Sequence, residues 1–161
     1  MYKPLKIAFC ALLILFSSSY LSSLHAQELI KQESCDIAPY SKQIDSIKSL
    51  FASQGYIVLR EASMTMQSEY EMPIVVPMSQ GSLYQFVFIG DPTSKLYEVR
   101  MFDWNEKQVV YKKNMWGDVD GNIISYSYVA QFSEYHMIKP VQVNKKKKTL
   151  CGYVLLLKKV K

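Results

Sequence analysis

The chain has 161 residues and a net charge of +5, from 19 Lys and Arg against 14 Asp and Glu. The positive charge is concentrated at the C-terminus: residues 27–144 hold ten basic against fourteen acidic residues, whereas residues 145–161 hold seven Lys and no acid. A nucleic-acid interface needs a broad positive face. This charge distribution therefore excludes nucleic acid as the expected partner.

The N-terminus has the three parts of a signal peptide in their usual order. Residues 1–6 contain two lysines and no acid, residues 7–16 are an apolar stretch of ten, and a Ser-rich segment ends in Leu24-His25-Ala26-Gln27. This order is typical of a signal peptide that is removed on export. We predict a signal peptide at residues 1–26 and a mature chain that begins near Gln27, in the periplasm or outside the cell.

The same segment argues against a membrane anchor. A transmembrane helix needs roughly 20 apolar residues, which neither residues 7–16 nor any later segment supplies, so we expect no transmembrane segment in the mature chain. Lipidation needs a cysteine just after the apolar region. Cys10 lies inside that region and Cys35 follows a charged segment, which disfavours a lipid anchor.

The mature chain, residues 27–161, has the size of a single domain with one core. Cys35 and Cys151 are its two cysteines. An even pair in an oxidising compartment predicts a disulfide. The alternative, two reactive thiols or a redox pair, lacks the CxxC spacing.

One amphipathic helix is predicted at residues 39–54. Ile44, Ile47, Leu50 and Phe51 recur at helical spacing, Pro39 suits a first helical turn, and Gly55 suits the exit.

After Gly55 the sequence period changes to that of strands. Short runs rich in Val, Ile, Tyr and Phe alternate with turn sequences such as "SQGS", "GDPTSK" and "GDVDGN". Eight strands without intervening helices indicate a mainly β domain, an antiparallel sandwich or barrel. The predicted strands are residues 56–59, 72–76, 83–89, 96–102, 108–111, 123–132, 135–143 and 152–157.

Two of these strands allow a prediction of burial. In "LYQFVFI" both faces are apolar, which predicts a central strand. In "NIISYSYVAQF" the apolar side chains face one way and two serines the other, which predicts a half-buried strand.

The stretches "GSLYQFVFIGD", "LYEVRMFDWNEKQVVY", "YSYVAQFSEYHMIKPVQV" and "GYVLLL" together resemble the bacterial pre-peptidase C-terminal domain and related secreted jelly-roll sandwiches. The resemblance covers residues 81–157 and departs from the family pattern at Glu134, where the family has Gly. It implies a jelly-roll-like sandwich of about eight strands. Such domains are usually accessory modules of exported enzymes, so the resemblance bears on the fold more than on the role.

Few residues suit catalysis or metal binding. His136 is the one histidine of the mature chain, and a lone strand histidine is expected to be a surface or a satisfied side chain. In "WGDVDGN", Asp118, Asp120 and Asn122 are similar to a calcium loop but lack its third acidic position and closing Glu. We expect a hairpin turn there and predict no catalytic residue, metal site or cofactor.

The aromatic residues and the lysines suggest binding surfaces. Trp104 and Trp116 each adjoin a turn, so either could form an exposed ligand platform. Lysines 145–148 are expected in a solvated hairpin loop at residues 144–149 that leads into the last strand, and their attraction to a membrane surface is the weaker alternative.

These observations predict an exported, non-enzymatic β-sandwich domain with a binding or structural role at the cell envelope or outside the cell. Its partner would be a protein or a glycan. The alternative function is a carbohydrate-binding module, and a small secreted hydrolase is the least favoured class.

Overall fold

The computed structural model of the chain describes residues 33–160. The predicted signal peptide lies outside the described residues. A short 3-10 helix, Ala38–Tyr40, leads into helix α1, Ser41–Ser53. Eight strands follow: β1 (Tyr56–Gln67), β2 (Ile74–Met78), β3 (Leu83–Ile89), β4 (Leu96–Phe102), β5 (Gln108–Met115), β6 (Ile123–Val129), β7 (Glu134–Val143) and β8 (Thr149–Lys159).

The strands form two four-stranded sheets. Sheet A has the order β1-β8-β3-β6 and sheet B the order β2-β7-β4-β5, and every neighbouring pair is antiparallel. This order is that of an eight-stranded jelly roll. The prediction of an antiparallel β-sandwich preceded by one helix is confirmed.

The main core lies between the two sheets. Side chains alternate along each strand, so every second residue points inward. Phe86 and Phe88 of β3 meet Val99 and Met101 of β4 and Ile138 of β7 there, each at most 3% exposed. This packing fixes which face of each sheet remains outside.

Helix α1 covers the outer face of sheet A. Its Ile44, together with Tyr40 from the 3-10 helix, packs on Val87 of β3 and on Leu155 and Leu157 of β8. Strands β3 and β8 are therefore buried on both faces, which confirms the prediction of a central strand at residues 83–89. No helix within residues 33–160 is long and apolar enough to cross a membrane.

The predicted disulfide is present between Cys35 and Cys151, whose Cα atoms lie 5.7 Å apart. It ties the segment before the helices to β8. The backbone of the same segment also contacts β1, because the Glu33 carbonyl accepts a hydrogen bond from the Thr65 N–H at 2.8 Å.

The predicted ends of five strands were wrong by two residues or more. β2 runs from Ile74 to Met78 instead of residues 72–76, and β8 from Thr149 to Lys159 instead of residues 152–157. β1 continues to Gln67 and β5 to Met115, beyond the predicted residues 59 and 111, and β6 ends at Val129 instead of residue 132. Residues 60–67 carry mostly polar or small side chains, and they become a strand because β8 pairs with them as far as Gln67 opposite Thr149. Pairing with a neighbouring strand overrides a weak local propensity.

Candidate functional site

The outer face of sheet B is the broad face of the sandwich that the described helices leave to solvent. The outward side chains of its strands include Val75, Tyr111, Tyr135 and Met137, which are 37–54% exposed. Exposed apolar side chains grouped on one face make that face a candidate interaction surface. We call this surface the open face.

One end of the open face is aromatic and apolar. The Trp104 and Tyr135 ring centroids lie 6.2 Å apart with the planes tilted by 48°, and the two residues are 69% and 54% exposed. The strand register places Val75 opposite Met137 and Met137 opposite Phe102. These five residues form what we call the aromatic end.

A band of charged side chains crosses the open face beside the aromatic end. Arg100 pairs with Glu98 at 2.8 Å and with Glu71 at 3.2 Å, and Lys139 pairs with Glu71 at 2.9 Å. Lys113 lies 3.8 Å from Glu98. Each of these charges therefore has a partner of opposite sign, and the band offers hydrogen-bonding groups without a strong net charge.

A second candidate surface is concave and lies at the end of the sandwich where β1 ends and β8 begins. It is an open pocket of about 560 Å³, within the range of natural ligand sites. We call it the loop pocket. It is lined by Gln67, Ser68, Glu69, Tyr70, Asn144, Lys145, Lys148 and Thr149.

Backbone and side-chain hydrogen bonds join the two walls of the loop pocket. The Ser68 N–H donates to the Lys148 carbonyl at 2.8 Å, and the Ser68 hydroxyl donates to the Asn144 carbonyl at 3.0 Å. The Asn144 side-chain oxygen accepts from the N–H groups of Lys146 and Lys147, which fixes the lysine loop. These hydrogen bonds hold the two walls of the pocket in a fixed arrangement.

The two tryptophans singled out in the sequence are both exposed but lie far apart. Trp104 follows the end of β4, whereas Trp116 follows β5 and donates its backbone N–H to the Lys95 carbonyl, just before β4. The length of β4 separates them by roughly 20 Å. Trp116, 64% exposed, carries the Lys95 ammonium 3.9 Å above its ring centroid. They do not form one platform.

Asp118, Asp120 and Asn122 lie in a turn between β5 and β6 and make turn contacts. The Asp118 carboxylate accepts from the Met115 N–H at 2.6 Å, while the Asn122 amide donates to the Gly90 carbonyl at 2.7 Å. Within residues 33–160 no group of three or more His, Cys, Asp or Glu side chains is arranged to hold a metal. The contacts are those of a turn, as expected, but the predicted hairpin was wrong: β5 belongs to sheet B and β6 to sheet A, so the turn joins the two sheets instead of two paired strands.

His136 is neither a surface residue nor a fully satisfied one, contrary to the expectation for a lone strand histidine. It is 1% exposed, because Tyr135 and Met137 take the outward positions of β7. Its Nε2 lies 3.2 Å from the Tyr128 hydroxyl and 3.7 Å from Glu134, and its Nδ1 is buried without a hydrogen-bond partner among the described residues. Burial, then the charges of Glu134 and Asp103, raise the Tyr128 pKa.

Sequence reasoning missed most of the open face and all of the N-terminal wall of the loop pocket. Tyr135 and Met137 gave one signal, since they alternate with His136 along a predicted strand. Glu69 and Tyr70 gave none, because they meet the lysine loop only through the pairing of β1 with β8. The exposure of the lysine loop at residues 145–148 was predicted correctly. The predicted hairpin was wrong, because the loop joins β7 of sheet B to β8 of sheet A and these strands do not pair.

No family model matches the chain, and no curated protein matches it. The resemblance to the pre-peptidase C-terminal domain stays a prediction. Among solved structures, a CBM4 structure aligns at 12% identity and a TM-score of 0.42, covering 65% of this chain and 79% of its own. The K3 cleaved adhesin domain of Lys-gingipain from Porphyromonas gingivalis W83 aligns at 8% identity and a TM-score of 0.36, covering 62% and 74%. Similarity this low assigns neither a family nor a function.

Proposed function

We propose that this chain is an exported, non-enzymatic binding domain that holds a protein partner on the open face of sheet B. The observation that carries the proposal is the aromatic end. Its composition, with Trp, Tyr, Phe and Met next to Arg100, is that of protein–protein interface centres. The charged band beside it supplies the polar rim that such interfaces have.

Export is supported by the disulfide between Cys35 and Cys151. Disulfides persist in the periplasm and outside the cell and are rare in the cytosol. The leader-like sequence at residues 1–26 supports the same location. We place the domain at the cell envelope or in the extracellular space.

The non-enzymatic role is supported by the state of the ionisable groups. The carboxylates of the charged band are already paired with Arg100, Lys113 or Lys139. His136, the one histidine in residues 33–160, is sealed between the sheets and has no access to a substrate on either candidate surface.

The test removes the aromatic end and compares it with a matched change elsewhere on sheet B. The variant Trp104→Ala/Met137→Ala deletes a Trp and a Met from the aromatic end. The control Met115→Ala/Trp116→Ala deletes the same residue types, 55% and 64% exposed, from the opposite end. Both variants should keep the wild-type thermal midpoint, because truncation of exposed side chains costs little stability.

Each protein is immobilised and offered envelope and extracellular fractions of the source cell. We expect one protein to be retained by wild type and by the control. The affinity of the test variant for this protein should be lower by roughly 30-fold or more, which is the effect of removing hot-spot residues worth about 2 kcal/mol. Equal retention by all three chains would contradict the proposal.

A second candidate, a carbohydrate-binding module, is favoured by one specific observation. The exposed Trp104 and Tyr135 rings stand next to hydrogen-bonding groups of the charged band, so an apolar sugar face and its hydroxyls would both find contacts. A glycan array separates the candidates. Binding of a neutral polysaccharide that is lost in Trp104→Ala/Met137→Ala, with no protein retained, would replace the first proposal by this one.

A further inference from the structure

The loop pocket contains two lysines whose charges are not used by the fold. Lys147, which is not part of its lining, pairs with Asp91 at 3.3 Å. Lys145 and Lys148 line the pocket and form no ion pair with any residue in 33–160. Two ammonium groups at one concavity attract an anion, and they do so without first breaking an internal salt bridge.

The opposite wall supplies a ring and a carboxylate. Tyr70 is 68% exposed, although it lines the pocket, so one face of its ring is available to a ligand. Glu69 next to it has a φ of 75°, a left-handed conformation that is uncommon for a residue with a side chain. Its carboxylate has no ion pair among the described residues and can accept hydrogen bonds from hydroxyl groups.

The pocket is also preorganised. The hydrogen bonds between Ser68 and both Asn144 and Lys148 hold the two walls together before any ligand arrives. A binding site that is already formed loses less conformational entropy when it binds. The loop pocket differs in this respect from a solvated run of lysines, which would have no preformed shape.

We propose that the loop pocket binds an acidic sugar unit of an anionic polysaccharide, one that carries a carboxylate or a sulfate. The anionic group contacts Lys145 and Lys148, the sugar hydroxyls donate to Glu69, and the sugar ring packs on Tyr70. An acidic peptide fits less well, because poly-aspartate has no hydroxyl groups to donate to Glu69 and no sugar ring to pack on Tyr70. The site does not depend on the aromatic end, which lies at the other end of β7, roughly 30 Å away.

The test uses calorimetric titration of the full chain with three oligosaccharides of equal length: an oligogalacturonate, a sulfated oligosaccharide and a neutral gluco-oligosaccharide. We expect the carboxylated probe, the sulfated probe or both to bind, with affinity falling as salt increases, and the neutral probe not to bind. The result with the first two probes distinguishes the kind of anionic group.

Two charge variants localise the binding. Lys145→Ala/Lys148→Ala should weaken it by about tenfold or more, since it removes both charge-assisted contacts. Lys112→Ala/Lys146→Ala removes the same charge from outside the pocket lining and should bind as wild type. Tyr70→Ala should also lower the affinity for the acidic sugar probes. Thermal unfolding should be similar in all variants, because exposed charges contribute little to stability.

Three results would overturn the proposal. The first is equal weakening by both charge variants, which would mean that binding depends on net charge alone. The second is an aspartate hexapeptide that binds more tightly than either acidic sugar, which would make the site a peptide site. The third is the absence of binding to both acidic probes. None of these bears on the aromatic end, whose variants test the open face separately.

Discussion

Removal of the disulfide is expected to lower the free energy of unfolding by about 4 kcal/mol. The bridge joins residues 116 positions apart in the sequence. In the chain-entropy model, a closed loop of this length restricts the unfolded chain by about 4 to 5 kcal/mol at 25 °C, of which native strain commonly removes part. The native fold keeps its other contacts, because Tyr40 and Ile44 still pack on the outer face of sheet A.

The assay is urea unfolding of wild type and of Cys35→Ser/Cys151→Ser at pH 7, each with and without a reductant. The variant should have a lower midpoint and a larger m value, since its unfolded chain exposes more surface. Reductant should shift wild type to the behaviour of the variant and leave the variant unchanged. A difference below about 1 kcal/mol between oxidised wild type and the variant would refute the loop argument.

Three further outcomes are expected. Millimolar calcium should leave the melting temperature unchanged, because the Asp118 carboxylate is used in its turn; a site filled at 100 times its dissociation constant would instead add about 2.7 kcal/mol, visible as a clear rise by calorimetry. Burial raises the pKa of Asp91, but hydrogen bonds from Thr93 and Lys147 outweigh it and lower the pKa overall. Asp91→Asn should therefore lower the free energy of unfolding by about 1 kcal/mol at pH 7. The difference from wild type should shrink as the pH falls below about 4 and disappear below the lowered pKa of Asp91, and a difference that does not change with pH in urea titrations would contradict that cause. Gly152→Ala should lower the free energy of unfolding by about 1–3 kcal/mol in the same assay, because the added Cβ would lie 2.9 Å from the Phe88 ring and 2.7 Å from a methionine sulfur. An unchanged free energy of unfolding would show that these side chains can move aside.

The sequence was informative where local chemistry and tertiary structure agree. Strands β3 and β4 were predicted with their observed bounds because each lies between Gly-, Pro- or Asp-containing turns and carries Tyr, Phe and Val. The disulfide followed from the count of cysteines left after the leader. The strand bounds could be predicted from a short stretch of sequence, and the disulfide from the number of cysteines.

The sequence was uninformative where a property depends on distant partners. Nothing near His136 indicates that it points into the core, because both faces of β7 contain apolar residues. The loop pocket joins residues 67–70 to residues 144–149, which only the β1–β8 pairing brings together. Exposure of the open face depends on which sheet α1 covers, and α1 carries no residue pattern that selects one sheet.

The position of β8 has a consequence for how the chain is made. β8 is the last strand to be synthesised, yet it lies inside sheet A, between β1 from the start of the domain and β3. Until its residues leave the ribosome, β1 lacks its one strand partner, β3 lacks one of its two, and α1 lacks half of the surface on which it packs. Sheet A can therefore be completed only after β8 has been synthesised, and the pairing of β1 with β8 must join segments about 90 residues apart, which is intrinsically slow.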